Sequence, residues 1–573
     1  GQRDAIIYHS PVTNNERVLT YNDLHQRVVE MASVLLENGV QQGDTVIIFM
    51  PMIPEAVIAM LSCARIGAVH SVVFGGFASE ELSIRLNNIK PKVILAASCG
   101  VEKSKIIPYM PLVNKAIDLS KDVHKIERCI VFQRPEYIEH GLHRERDVEW
   151  HHAIQNLSEL TTDCTVVEST HPLYVLYTSG TTGDPKGIQR DHGGYAVALL
   201  YTMANIYGVQ PGDVFWAASD VGWVVGHSYS VYGPLLSGCT TVIYEGKPVG
   251  TPDEKAFWRV IEKYRVNILS TAPTALRAIK REDSEGTSAR GYDMTSLRGV
   301  YLAGERADHD SLEWAERAIG VPVRDHWWQT ETGWPICSNL VALEGLLPKK
   351  HGSTYRPCPG YDVQVLQSTE ERREKTEYTR AQPNQLGALV IRLPLPPGSM
   401  TTLFRDDERY VKSYLTEYPG YYSTGDEGMI DEDGYVFVMS RTDDVINVAG
   451  HRISSSRIEE VVASHPDVAE VAVVGLPDEF RGEVPFGLIV LNQNCTKAQD
   501  IIIDDVVEQV REQIGAFAVF KKAICVPCLP KTRSGKILRG TLRKIVNKQN
   551  YKMPATIEDP LVLYDIEKQI NEI

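Results

Sequence analysis

The chain has 573 residues, 43% of them apolar and 23% charged, and a formal net charge of −15. That length exceeds one ordinary hydrophobic core, so at least two domains are expected. The acidic balance makes the chain a poor general binder of nucleic acid or anionic membrane, although local sites for anionic small molecules stay open.

The sequence opens on Gly1 rather than Met, which predicts a processed or trimmed start with any targeting peptide out of view. Over 21–40, Leu24, Val28, Ala32, Leu35 and Leu36 mark one helical face; Thr20 and Asp23 suit its cap and Gly39 its stop. A strand at 45–50, a helix at 55–65 and strands at 68–74 and 92–97 follow. Further strands are expected at Thr240–Tyr244 and 266–270. This alternation predicts an α/β fold of parallel sheets covered by helices. The polar stretch 367–385 reads as an exposed loop. After about residue 440 a smaller α+β pattern begins, with helices at 455–464 and 503–515 and strands at 470–475 and 486–491. The boundary falls near Asp443, giving a large multi-layer domain over 1–442 and a small one over 443–573. No run of about 18 apolar residues predicts a membrane span. The ten scattered cysteines read as reduced thiols, and Cys525 and Cys528, a lone CxxC, as structural thiols rather than a zinc site.

Chemistry concentrates in 177–187, YTSGTTGDPKG. Ser179, Thr181 and Thr182 offer hydroxyl donors, Gly180, Gly183 and Gly187 allow close backbone approach, and Lys186 supplies charge, as a phosphate-binding loop needs. The spacing fits neither a Walker loop nor a dinucleotide fingerprint. Further strings follow in order: YSTGD at 422–426, SRTDD at 440–444 and PKTRSGK at 530–536. No Ser/His/Asp nucleophile arrangement stands out. Read singly, each residue has a bland account: tryptophans as core, Arg441 with Asp443 as a surface pair, the basic run after Lys531 as a solvated helix start.

Together and in this order, the four strings resemble the acyl-adenylate-forming superfamily. Within it, DVGWVVGH at 220–227, DHWWQTETG at 325–333 and VAGHR at 448–452 are similar to the short-chain acyl-CoA synthetase branch. The resemblance spans essentially the whole chain and implies ATP, Mg²⁺ and coenzyme A as cofactor or substrates beside a small carboxylic acid. It implies that Thr178 to Gly183 and Lys186 hold the phosphates, that Gly304, Glu305, Arg306 and Asp325, His326, Trp327, Trp328, Gln329 and Thr330 wall the adenine and ribose-phosphate, and that Asp426, Arg441 and Arg452 meet ribose and phosphate. Glu331 is implied as a Mg²⁺ ligand, and His465 marks a second cation site. Lys536 is implied to bridge carboxylate and α-phosphate, with Asp443 as hinge and Gly450 opening a pantetheine tunnel. Trp223, Val225, Ala449, Gly450, Arg511 and Lys105 are implied contacts of coenzyme A; Glu102 and Val249 depart from the acetate pattern there. The implied acyl pocket is Val224, Val225, Ala303 and Trp328; acetate enzymes of the branch carry Val and Thr where this chain has Ala303 and Val225, which points to propionate over acetate.

The implied activity is therefore ATP-dependent ligation of a short-chain acid to coenzyme A through an acyl-adenylate, releasing AMP and pyrophosphate. The branch has mitochondrial and cytosolic members, and the propionate-like pattern favours the mitochondrial matrix. Two rivals are a carrier-loading adenylating enzyme and a catalytically dead nucleotide-binding regulator. The absence of a carrier module after Lys536 opposes the first; retention of Lys186, Glu331, Asp426, Arg441 and Lys536 opposes the second.

Overall fold

A computed structural model describes residues 1–573 except 103–104, 140, 179–184, 306, 308, 370–376, 449–450, 479, 493–494, 533–535, 555–556 and 573, and except the side chains of 309, 344, 368, 369, 377, 443, 447, 451 and 452.

The first helix, Tyr21–Glu37, begins where Thr20 and Asp23 close a reciprocal capping box and ends before Gly39, whose φ of +77° suits a residue without Cβ. It packs beside Pro54–Arg65, which Pro54 opens at the first turn. Between them runs Thr45–Phe49, buried along its whole length because helices cover both faces of its sheet.

Two large sheets share this architecture. One has seven strands in the order Val323–Asp325, Gly299–Leu302, Ile268–Thr271, Val214–Ala217, Thr240–Tyr244, Asp4–Ser10 and Asn15–Thr20. All are parallel except the last, which returns as an antiparallel hairpin. The other has eight, with Lys186–Asp191 antiparallel to Pro172–Thr178 and the latter parallel to Val69–Val72. A third sheet is antiparallel and includes Gly387–Arg392, Tyr421–Ile430 and Val436–Arg441.

The polar stretch expected as a loop corrects here. Asp362–Thr369 and Glu377–Arg380 pair antiparallel on the margin of that third sheet, Leu366 opposite Arg380. Glu377–Arg380 is an edge strand, and edge strands carry charge that discourages further pairing, so its composition mimics a loop.

From Val445 onward the chain builds a sheet of its own from Val445–Val448, His451–Ser454, Val468–Asp478, Gly482–Leu491 and Lys522–Cys525. Its strands alternate faces. Val471, Val473 and Ile489 pack on Ser455–Ala463 and Gln499–Gln513, while Ala472, Val474 and Leu488 pack on Arg539–Val546 and Leu561–Glu572. Both cores draw only on residues from this C-terminal unit, which makes it a separate domain. The single-turn 3₁₀ segment Thr442–Asp444 joins it to the preceding strand. Among the described residues no helix is long and apolar enough to cross a membrane.

Candidate active site

Adjacent parallel strands release their loops at the same sheet edge. Gly299–Leu302 and Val323–Asp325 pair in parallel, Leu302 opposite Asp325, so Ala303, Gly304 and Glu305 emerge beside His326, Trp327 and Trp328. Gly304 turns with φ +107°. Glu305 ion-pairs with Arg277, and the buried Asp325 accepts from the Ala307 N–H at 3.4 Å.

Asp426 is the hub of the site. It stands opposite Arg441 across two antiparallel strands, and Arg441 Nη1 donates to Asp426 Oδ1 at 3.1 Å and to the Thr424 carbonyl at 3.0 Å. The other carboxylate oxygen accepts from Trp327 Nε1 at 3.0 Å and Gln329 Nε2 at 2.6 Å. A β-bulge falls at Thr424–Gly425, because Leu389 pairs with Asp426 while Val390 pairs with Ser423. Gly425 takes φ +69° there, and a Cβ on it would lie 2.6 Å from Arg441 Nη2. Burial raises the Asp426 carboxyl above its usual range, against the pull of Arg441 and its donors. The Arg441 side chain keeps 44% of its exposure.

Beside this hub, Lys186, Tyr414 and Glu331 form a second constellation. Lys186 begins the strand opposite Thr178, at the mouth of the loop whose residues 179–184 lie outside those described. Its Nζ donates to the Tyr414 hydroxyl at 3.4 Å and lies 4.6 Å from the ring centroid. The same hydroxyl donates to Glu331 Oε1 at 2.8 Å. Tyr414 stacks on Tyr422 at 5.5 Å, and Tyr422 donates to Gln329 Oε1 at 3.0 Å, which ties this constellation to the Asp426 hub. Burial lowers the Lys186 ammonium, and Glu331 opposes that shift. Among the described residues no cluster of three or more His, Cys, Asp or Glu could hold a metal alone. A single half-buried carboxylate beside a lysine fits a magnesium ion that arrives with phosphate oxygens supplying most of its ligands.

Val224, Ala303 and Trp328 belong to one contiguous buried cluster, with Trp223 and Val225 packed against it. Trp328 meets Tyr229 edge-on at 5.5 Å and His326 at 6.0 Å. Trp223 packs on Phe74 at 5.5 Å. After Val225 the chain enters a π-helical segment, Gly226–Tyr232, and a Cβ on Gly226 would collide with the Asp220 carbonyl at 2.1 Å. Desolvation pushes the Asp220 carboxyl up to about 6, with the Gly222 N–H donating at 2.7 Å.

The remaining expected residues are dispersed. Lys536 is exposed; its carbonyl accepts from the Thr532 N–H at 2.7 Å, and its N–H donates to Thr532 Oγ1 at 3.0 Å. No hydrogen bond or ion pair among the described residues joins it to Glu331 or Asp426. Arg511 lies exposed on Gln499–Gln513, 3.7 Å from Glu508, and Lys105 is exposed opposite Glu102. The His465 ring is taken up by its own turn and a neighbouring helix: Nδ1 accepts from the Asp467 N–H at 3.2 Å, and Nε2 lies 3.5 Å from Asp505 on Gln499–Gln513. Ser179, Gly180, Thr181, Thr182, Gly183, Arg306, Ala449 and Gly450, with the side chains of Asp443 and Arg452, lie outside the described residues.

Tyr414 and Arg190 were not among the residues expected from the sequence, and Tyr422 was expected only as the start of the YSTGD string. Arg190 had a usable signal: a charge two residues beyond the buried Ile188 in a strand is an inward-facing charge.

Residues 1–400 match the family described as AMP-binding enzyme, and residues 457–536 match the AMP-binding enzyme C-terminal domain. The chain belongs to the AMP-binding enzyme family. It is 47% identical over 572 residues to the rat protein named acyl-CoA synthetase short-chain family member 3, mitochondrial, covering 100% of this chain and 82% of the relative. It is 43% identical over 578 residues to a Salmonella typhimurium protein named propionate–CoA ligase, covering 99% and 89%. The fold matches the solved acetoacetyl-CoA synthetase from Streptomyces lividans with a TM-score of 0.85 at 24% identity, covering 100% of this chain and 84% of that one.

Proposed function

We propose that the chain is an AMP-forming acid–CoA ligase that activates short-chain acids, propionate before acetate. The carrying observation is the junction of two constellations: Lys186, Tyr414 and Glu331 at the mouth of the Gly-rich loop, tied through Tyr422 and Gln329 to Asp426 and Arg441. One supplies charge for phosphates, the other a carboxylate and guanidinium for a ribose and its phosphate.

The substrate carboxylate attacks the α-phosphorus of ATP, and pyrophosphate leaves. No enzyme nucleophile is needed, so catalysis is alignment and charge neutralisation. Lys186 steadies the departing phosphates, Asp426 holds the ribose hydroxyls, and Lys536 bridges the carboxylate and the α-phosphate. A magnesium ion at Glu331 supplies further neutralisation when bound. The coenzyme A thiol then attacks the acyl-adenylate carbonyl and AMP leaves. We place the domain boundary at 442/443 and the swap between half-reactions at Asp443, which exchanges Lys536 for the Ala449–Gly450 loop. Arg511 and Lys105 lie toward the nucleotide end of coenzyme A.

The propionate preference rests on Ala303 and Val225 and accords with the name of the Salmonella relative. The mitochondrial matrix is the proposed compartment on the name of the rat relative, with the cytosol as the alternative. ATP–pyrophosphate exchange over a panel of acids, followed by thioester formation with free coenzyme A, tests the reading. Propionate-stimulated exchange with thioester product is expected; exchange without transfer to free coenzyme A would mark a carrier-loading enzyme, and no exchange an inactive nucleotide binder.

A further inference from the structure

Among the described residues Arg190 is the most completely buried charged side chain, and the reaction does not use it. It is 0% exposed, on an inward position of Lys186–Asp191, and among the described residues no carboxylate pairs with it. A buried ion without a counter-ion is costly and persists only where the structure spends its hydrogen bonds on it. Two of its four hydrogen bonds go to the backbone of Thr330 and Glu331, and the other two anchor it to Gly398 and Tyr174. Nη1 donates to the carbonyls of Glu331 at 2.9 Å and Gly398 at 2.7 Å, Nη2 to the carbonyl of Thr330, and Nε to the Tyr174 hydroxyl at 3.2 Å. The Tyr174 and Tyr195 rings flank the guanidinium at 5.8 and 5.6 Å. Gly333, with φ +75°, passes so close that a Cβ would sit 2.7 Å from Arg190 Cζ.

We propose that Arg190 is a positioning residue of the nucleotide–metal site: it clamps the backbone of Thr330 and Glu331 so that the Glu331 carboxylate stays aimed at Tyr414 and Lys186. The strand that carries Arg190 begins at Lys186, so one rigid element sets both the phosphate-side lysine and the metal-side carboxylate. Only a planar fork can reach three carbonyls and a phenol at once; an ammonium is a single point. The buried positive charge also lies directly behind the peptide that bears Glu331, where it favours an anion-rich ligand over empty solvent.

The proposal rests on the reading that Glu331 faces the metal of the nucleotide, and the test separates the two. Binding of Mn²⁺·ATP to the purified full chain is followed by the spin-resonance signal of free Mn²⁺, beside KM for ATP and for propionate. Arg190→Lys keeps a charge but loses the fork, and is expected to weaken Mn²⁺·ATP binding by about tenfold or more, as loss of a supporting partner around a metal ligand does. KM for ATP rises in step while KM for propionate holds. Tyr174→Phe removes one acceptor and no charge, so it stays informative if the lysine variant folds poorly; a smaller shift of the same sign is expected. A lowered melting temperature with unchanged Mn²⁺·ATP binding in both variants overturns the proposal and leaves Arg190 a structural residue. Unchanged binding in Glu331→Gln overturns the reading of Glu331 and the proposal with it; a shift in Glu331→Gln with none in the other two overturns the Arg190 assignment alone.

Discussion

The Tyr414 hydroxyl donates to Glu331 Oε1 at 2.8 Å while its ring carries Lys186 Nζ at 4.6 Å from the centroid. One phenol therefore sets the spacing between the Lys186 ammonium and the Glu331 carboxylate. Tyr414→Phe keeps the ring, the stack on Tyr422 and the cation–π contact, and deletes only the hydroxyl that donates to Glu331 and accepts from Lys186. A hydrogen bond of this kind is worth about 1 kcal/mol, so KM for Mg·ATP should rise about fivefold with little change in melting temperature. Steady-state kinetics at saturating acid measure it; an unchanged KM removes Tyr414 from the site.

Lys536 is exposed and its contacts to Thr532 use only its backbone. Truncating an exposed side chain usually moves stability by less than about 0.5 kcal/mol. Lys536→Ala should therefore fold normally and lose roughly 10²- to 10³-fold in ATP–pyrophosphate exchange, the size of effect seen when a transition-state donor is removed. Thioester formation from supplied acyl-AMP should survive. Equal loss of both half-reactions sinks the assignment.

On the proposed reading that Gly450 borders the path of pantetheine, Gly450→Leu is expected to give the converse. Exchange persists and transfer to coenzyme A stops. Collapse of exchange as well would make the loop structural and weaken the rotation about Asp443.

Asp220 gives a pH-dependent prediction. Desolvation lifts its carboxyl from 3.8 to about 6, so the folded state binds this proton more tightly than the unfolded chain does. Its contribution is fully present below the unfolded value and is lost as pH rises through about 6. Asp220→Asn cannot ionise. It should melt higher than the unsubstituted chain at roughly pH 8, and the difference should shrink toward zero below roughly pH 4. A pH-independent difference in calorimetry would assign the effect to packing.

The elements that periodicity defines were legible: Tyr21–Glu37 with its cap, the all-apolar Thr45–Phe49, and the alternating strands of the C-terminal unit. Residues carried by contiguous strings, such as Asp426 and Lys186, were legible as candidates. Tyr414 was not, because its partners lie 83 and 228 positions away and nothing local marks a tyrosine at the end of a polar helix. The bulge that turns Gly425 under Arg441 was equally hidden, since a register shift is a property of two strands. Glu377–Arg380 misled because edge strands are polar for reasons of their own.

The acyl preference is the sharpest remaining test. Ala303 is 5% exposed and shares a buried cluster with Val224 and Trp328, with Val225 packed against it. Trp328 is held edge-on against Tyr229 and His326; as the floor of the proposed acyl pocket it should clash with chains much beyond about four carbons. Replacing Ala303 by Val adds two methyl carbons to a site already buried, and in the proposed pocket they would compete with the substrate's terminal methyl. One methylene in a fitted apolar pocket is worth roughly 1–3 kcal/mol, about 10- to 200-fold. Ala303→Val should therefore cut kcat/KM for propionate by about that factor and leave acetate nearly untouched. Trp328→Gly should admit longer acids at a cost in stability of about 3–5 kcal/mol from the cavity it leaves. A shorter-chain preference in the unsubstituted enzyme, or an acetate-to-propionate ratio unmoved by Ala303→Val, would show that these residues do not line the acyl pocket.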